Sequence, residues 1–212
     1  MSGPPVVHVV DDDASFRAAV ARLVRAGGWE AVEDGSTGDF LLHRPPDRPG
    51  CVLLDLQMPG GPSGLDLQEA LSGLGIALPV VFVTGHADVP SSVQAMKAGA
   101  VDYLTKPVER EALFDALRRA FARDARSRGE RAEADALRDR FDTLSARERE
   151  VLRRVAEGKL NKQVAGEMRI AERTVKLHRA TALRKLGARS AAELGRLAER
   201  LRRLSAGDDD AR

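Results

Sequence analysis

Three carboxylates, Asp11, Asp12 and Asp13, stand directly behind the apolar run Val6–Val10. Like charges at neighbouring positions repel, so a chain that gathers them calls for a cation to offset them. A hard divalent ion such as Mg2+ suits the role, because it takes carboxylate oxygens and waters and leaves room for a phosphate. A fourth acid, Asp55, closes the run Cys51–Leu54; a hydroxyl, Thr84, closes Val80–Val83; and an amine, Lys106, followed by Pro107, comes just after Ala100–Leu104. With the ion held by Asp11, Asp12 and Asp55, the Asp55 carboxylate is placed to attack a phosphoryl group as a nucleophile. The ion and the Lys106 ammonium would neutralise charge on that group, and Thr84 would hydrogen-bond one of its oxygens. Acids also cap helices, and Asp13 is assigned to that simpler task.

Such a set works only if the chain brings it to one place. The first 120 residues alternate short apolar runs, at Val6–Val10, Trp29–Val32, Cys51–Leu54, Val80–Val83 and Ala100–Leu104, with amphipathic stretches near 14–26, 37–43, 64–74, 89–98 and from 108 onward. This alternation predicts an α/β fold, a doubly wound five-stranded parallel sheet. Ligands of such sheets bind beyond the carboxyl ends of the strands. Asp11–Asp13, Asp55, Thr84 and Lys106 all follow strand ends, so one edge of the sheet collects them.

Composition divides the chain. Residues 1–120 carry 10 Lys and Arg against 16 Asp and Glu, whereas residues 141–204 carry 17 against 8, so an acidic part is joined to a basic one. A basic part points to a polyanionic partner. Between them, residues 121–140 are rich in Arg, Ala and Glu and predict either an extended helix or a broken helical linker with Gly129 as its weakest point. Helices are placed near 145–157, 161–168, 172–186 and 190–204, with Gly158 and Gly187 at helix ends. The tight connection at Arg169–Ala171 makes the middle pair a helix-turn-helix, whose second helix enters a DNA groove. At about 100° per residue, Val175, Ala182, Leu183 and Leu186 face inward, and Arg173, Lys176, Leu177, Ala180 and Arg184 face outward. In the last helix, Ala191, Leu194, Leu197, Leu201 and Leu204 form a stripe that serves either the core or a dimer interface. Residues 205–212 read as a disordered acidic tail. The lone cysteine, Cys51, excludes a disulfide framework; no apolar run approaches a membrane span, and the opening MSGPP lacks the basic region of a signal peptide, so a cytoplasmic address is expected.

The segments VHVVDDD, VLLDLQMPGGPSGLDL and VVFVTGHADVPSSVQAMKAGAVDYLTKP together resemble the receiver domain of two-component response regulators. That resemblance implies a flavodoxin-like strand order of 2-1-3-4-5 and makes Asp55 the phosphoacceptor. It pairs Asp11 and Asp12 with Asp55 and the backbone oxygen of Gln57 around Mg2+, for which Mn2+ can substitute. Thr84 and Tyr103 become switch residues, and the Lys106–Pro107 bond is expected in cis. The segments LSAREREVL, NKQVA, ERTVKLHR and LRKLG resemble the LuxR/FixJ/NarL-type DNA-binding domain. From this, Lys176, Leu177 and Ala180 approach bases. Thr174, His178, Arg179 and Lys185 tend toward the DNA backbone or toward packing, and Lys162, Arg173 and Arg184 complete the DNA-facing set.

The domains so implied are a receiver over 1–120, a helical linker over 121–140 and a DNA-binding domain over 141–204. The implied protein is a transcription factor rather than an enzyme, catalysing only its own phosphoryl transfer and dephosphorylation. A sensor histidine kinase would phosphorylate it, and it would then dimerise on paired half-sites of double-stranded promoter DNA, with RNA polymerase as a further partner and no membrane. One departure stands out: the family pattern Asp-x-x-Met-Pro-x-Met-(Ser/Asp)-Gly is here Asp55-Leu56-Gln57-Met58-Pro59-Gly60-Gly61-Pro62-Ser63-Gly64, one residue longer and without the second methionine. Gln57 and His86, each two residues beyond a site residue, are expected to tune loss of the phosphoryl group. Two rivals are a regulator whose receiver is only a scaffold and a metal-dependent phosphatase built on the same sheet.

Overall fold

The computed structural model describes residues 3–43, 47–59, 61–85, 89–188, 190, 193 and 196–197. The chain divides into two compact units, Met1–Arg128 and Gly129–Arg212. In the first, strands and helices alternate as β1 (Val6–Val10), α1 (Ala14–Ala26), β2 (Glu30–Asp34), α2 (Thr37–His43), β3 (Gly50–Asp55), α3 (Gly64–Gly73), β4 (Val80–Thr84), α4 (Val89–Lys97) and β5 (Asp102–Thr105). All pairings are parallel, in the order β2-β1-β3-β4-β5.

Three strands, β1, β3 and β4, are buried at every position. Helices on both faces of the sheet demand this, and it explains why these strands read as unbroken apolar runs. Successive residues serve opposite faces: Val7, Val9, Leu53 and Val81 pack with α1 residues and with Leu113 and Leu117, while Val10, Leu54 and Phe82 pack with Phe40, Leu67 and Ala95. Trp29 closes the first of these layers, edge-on to Phe114 at 5.1 Å and tilted against Phe121 at 5.4 Å. Cys51 is fully buried, and burial pushes its thiol pKa far up. Several strand ends shift from expectation. The second starts at Glu30 and runs on through Glu33 and Asp34, whose charge hid it. The third gains Gly50 and Asp55, the fourth gains Thr84, and the fifth spans Asp102–Thr105 rather than Ala100–Leu104.

Helix α5 (Arg110–Asp142) runs 33 residues without a break. The linker is therefore helical throughout, and the helix passes straight through Gly129, although glycine costs about 1 kcal/mol relative to alanine in a helix interior. The second unit continues with α6 (Ala146–Ala156), α7 (Asn161–Met168) and α8 (Glu172–Leu186). Its core gathers Leu144, Val151, Leu152, Val155, Val164, Val175, Ala182 and Leu186. The helix expected at 190–204 and the acidic tail fall largely or wholly outside the described residues; of its stripe only Leu197 is described, packed against this core. Among the described residues, no helix is long and apolar enough to cross a membrane.

Candidate phosphoacceptor site and nucleic-acid interface

Register builds the first site. Val10 of β1 pairs with Leu54 of β3, so the next residues, Asp11 and Asp55, emerge side by side at the point where strand order reverses. Carboxylate oxygens of Asp11, Asp12 and Asp55 all lie within 4.8 Å of one another. Asp12 is exposed, whereas Asp11, Asp55 and Thr84 are buried. Lys106, delivered by the end of β5, sets its Nζ 2.7 Å from Asp11 Oδ2 and 2.7 Å from Asp55 Oδ2. The ammonium also lies 4.3 Å from the Phe16 ring centroid, and its own amide donates to the Thr84 carbonyl at 2.8 Å. The Lys106–Pro107 bond is cis, as expected.

Several backbone bonds hold this arrangement. The Gln57 N–H donates to Asp55 Oδ1 at 3.1 Å, the Asp13 N–H to Asp11 Oδ1 at 2.9 Å, and Arg17 Nη1 to the Asp11 carbonyl at 2.5 Å. Asp13 does cap α1: its Oδ1 accepts from the Ser15 and Phe16 amides at 2.9 and 3.1 Å. Burial raises the Asp11 pKa, further raised by Asp55 and only partly countered by Lys106. Burial opposes charge on Lys106 too, but hydrogen bonds to Asp11 and Asp55 outweigh it and raise the Lys106 pKa. Three carboxylates thus share this pocket with one ammonium.

The loop after β3 is fixed at its far end. A Cβ on Gly64 would lie 2.3 Å from the Asp55 carbonyl oxygen and 3.0 Å from Phe82, so only glycine lets the start of α3 approach so closely. Ser63 and Asp66 form a reciprocal cap there. The additional residue therefore falls between Pro59 and Ser63, and Asp55 keeps its backbone frame. Gln57 has its side chain exposed, and His86 lies outside the described residues.

In the second unit, α7 and α8 are joined through Arg169, which takes the left-handed conformation at φ 53°, ψ 45°. Arg173, Lys176, Leu177, Ala180 and Arg184 of α8 are exposed, as is Lys162 of α7. Leu177 is 65% exposed among those cations. Thr174, His178 and Arg179 are half-buried, and Arg179 Nη1 donates to Asn161 Oδ1 at 3.1 Å. Of the two roles expected of Lys185, DNA backbone or packing, the structure shows a packing bond. Its Nζ bonds Glu148 Oε2 at 2.8 Å and the Thr143 carbonyl at 3.0 Å, bracing the Ser145–Glu148 cap of α6.

The family models for the response regulator receiver domain and for bacterial regulatory proteins of the luxR family match residues 7–118 and 142–198. Nodulation protein W of Bradyrhizobium diazoefficiens is 44% identical over 196 residues, 92% of this chain and 86% of that one. The chain belongs to the response regulators. Transcriptional regulatory protein FixJ of Rhizobium meliloti is 39% identical over 192 residues, 91% of this chain and 94% of that one. Among solved structures, the response regulator StyR matches with a TM-score of 0.79 at 44% identity, covering 93% of this chain and 99% of that one. Full-length FixJ from B. japonicum matches at 0.57 and 34% identity, covering 95% and 98%.

As a response regulator, the chain has a receiver that implies a sensor kinase and a LuxR-type domain that implies DNA. Receiver domains bind Mg2+ through acidic residues, and this donor set fits: three carboxylates converge, all hard oxygen donors, and exposed Asp12 leaves a face open to water. Tyr103 is half-buried against the second core layer, on the strand next to Thr84. Phe16 and Arg17 were missed by sequence reasoning. Nothing in their local pattern marks them, since their role comes from packing against Lys106 and the Asp11 carbonyl.

Proposed function

We propose that this response regulator is a transcription factor switched by phosphorylation of Asp55. The observation that carries the reading is the Lys106 ammonium bridging Asp11 and Asp55 at 2.7 Å each, beside a third carboxylate within reach. Asp11, Asp12, Asp55 and the Gln57 carbonyl would hold Mg2+, or Mn2+ in its place. When bound, the ion supplies positive charge against the oxygens of the transferring phosphoryl group. An Asp55 oxygen forms the new P–O bond as the P–N bond to a histidine of the sensor kinase breaks. Lys106 then faces the phosphoryl oxygens, and Thr84, buried at the neighbouring strand end, hydrogen-bonds one of them. Tyr103 turns into the space that Thr84 leaves, a population shift biased by a local bond.

The face beside this switch is apolar and exposed: Val89 at 75%, Val93 at 45% and Met96 at 48% on α4. Phosphorylation promotes pairing of two receivers there, and the two basic domains then bind paired half-sites of promoter DNA. Lys162, Arg173, Lys176, Leu177, Ala180 and Arg184 make the direct contacts, with Thr174, His178 and Arg179 at the flank. RNA polymerase is the further partner, and the cytoplasm is the place of action. The receiver turns over only its own phosphoryl group. Acetyl phosphate with Mg2+ tests the reading: wild type should gain one phosphoryl mass and Asp55→Ala none. Equal labelling of both would overturn it.

A further inference from the structure

Besides its two carboxylate partners at 2.7 Å, the Lys106 ammonium has an aromatic neighbour: Nζ lies over the Phe16 ring, 4.3 Å from its centroid. A ring face attracts a cation out to about 6 Å, and more strongly where water is scarce. The Lys106 side chain is only 19% exposed, so little water competes. Phe16 is itself held from two directions. Its N–H donates to Asp13 Oδ1 at 3.1 Å, which ties the first turn of α1 to the acidic cluster. Its side chain, half-buried, packs against the core layer that contains Val20 and Leu113. Packing alone would accept leucine at such a position. Only an aromatic ring adds an electron-rich face for the cation.

Lys106 has to change partners during phosphoryl transfer. Its bond to Asp55 must loosen as that carboxylate attacks, and the ammonium must then meet the phosphoryl oxygens. A third carboxylate beside it would hold the lysine too firmly, and open water would let it drift. A ring face does neither, because its attraction is weak and broad. We propose that Phe16 is a positioning residue for this step: its ring keeps the Lys106 ammonium against Asp55 while the lysine passes from the carboxylate to the phosphoryl group. Phe16 touches no reacting atom and acts only through Lys106. This role rests on the reading of Asp55 as phosphoacceptor, but the contact exists without phosphate and is tested apart from it.

Urea unfolding of the metal-free, full-length protein, followed by Trp29 fluorescence, measures the contact. Phe16→Leu should raise the unfolding constant by a factor at least about threefold larger in the parent than in Lys106→Met. Acetyl phosphate with Mg2+ measures the role. An Asp55 oxygen forms the new P–O bond, the bond to the acetyl oxygen breaks, and acetate leaves with that electron pair. Phe16→Leu should take up label about three- to tenfold more slowly than wild type, and Phe16→Tyr, which keeps the ring, should stay within about twofold of it. Added to Lys106→Met, Phe16→Leu should cost less than about twofold. Phe16→Leu as fast as wild type, Phe16→Tyr as slow as Phe16→Leu, or an equal loss with and without the lysine would overturn the proposal. So would a metal-free cycle without coupling. Wild type that takes no label while that cycle still couples would sink the phosphoacceptor reading, and the role of Phe16 with it.

Discussion

Lys106 sits where two buried carboxylates would otherwise face each other, so its removal is felt first as electrostatics. Breaking a buried pair by deleting one partner leaves uncompensated charge, at a cost on the order of 3–5 kcal/mol. Lys106→Met should therefore lower the receiver's melting temperature in metal-free buffer, and added Mg2+ should recover most of the loss. A melting temperature unaffected by the substitution would contradict the bridging role. His8 gives a second test at this scale. Its ring is buried in β1, edge-on to Phe40 at 5.4 Å, and burial lowers its pKa below 6.5, with Asp34 and Glu30 opposing the shift and Arg48 adding to it. The unfolded chain then binds the proton more readily than the folded one, so the stability due to neutral His8 is whole above pH 6.5 and is lost as pH falls below it. His8→Phe should flatten that acid limb of the receiver's stability profile, as read by urea unfolding at several pH values.

Elements stand or fall by their ends. Helix α8 begins at Ala171, which has the extended backbone of a cap but makes no side-chain cap bond. Ala171→Ser should stabilise the basic unit by about 0.5–2 kcal/mol, and calorimetry showing no rise would refute the assignment. Helix α3 begins under the opposite constraint. Gly64→Ala forces a Cβ into the Asp55 carbonyl, so acetyl phosphate should label the variant several-fold more slowly even where it remains folded. Much of this architecture was legible beforehand. Buried parallel strands produce continuous valine and leucine runs, and helices α1, α2, α7 and α8 appear with their expected bounds. What could not be read are the pairs that join distant segments. Gly50 and Asp124 are 74 residues apart, and Glu148 and Lys185 are 37 apart, with no local pattern to connect them. A helix face likewise reveals which residues are charged but not which are already engaged, as Lys185 is by Glu148.

At the scale of the whole molecule, acidic and basic parts have separate partners and separate tests. Val93→Asp on α4 should leave Asp55 labelling intact while abolishing the phosphorylation-driven rise in mass seen by light scattering, since it puts charge into an apolar face. On the basic side, affinity for duplex DNA should fall with salt, and Lys162→Ala should reduce the slope by about 0.9 for each phosphate the side chain no longer neutralises. An unchanged slope would remove Lys162 from the interface. The chain's one tryptophan and one tyrosine, Trp29 and Tyr103, both lie in the first unit, and Trp29 rests on Phe114 and Phe121 of α5. Intrinsic fluorescence excited in the indole band therefore watches the sheet and its covering helices and ignores α6 to α8. Far-ultraviolet dichroism, dominated by helices from both units, sees everything at once. If the units unfold separately, the two spectroscopic melts will part company, and the difference between them isolates the unit that carries no indole.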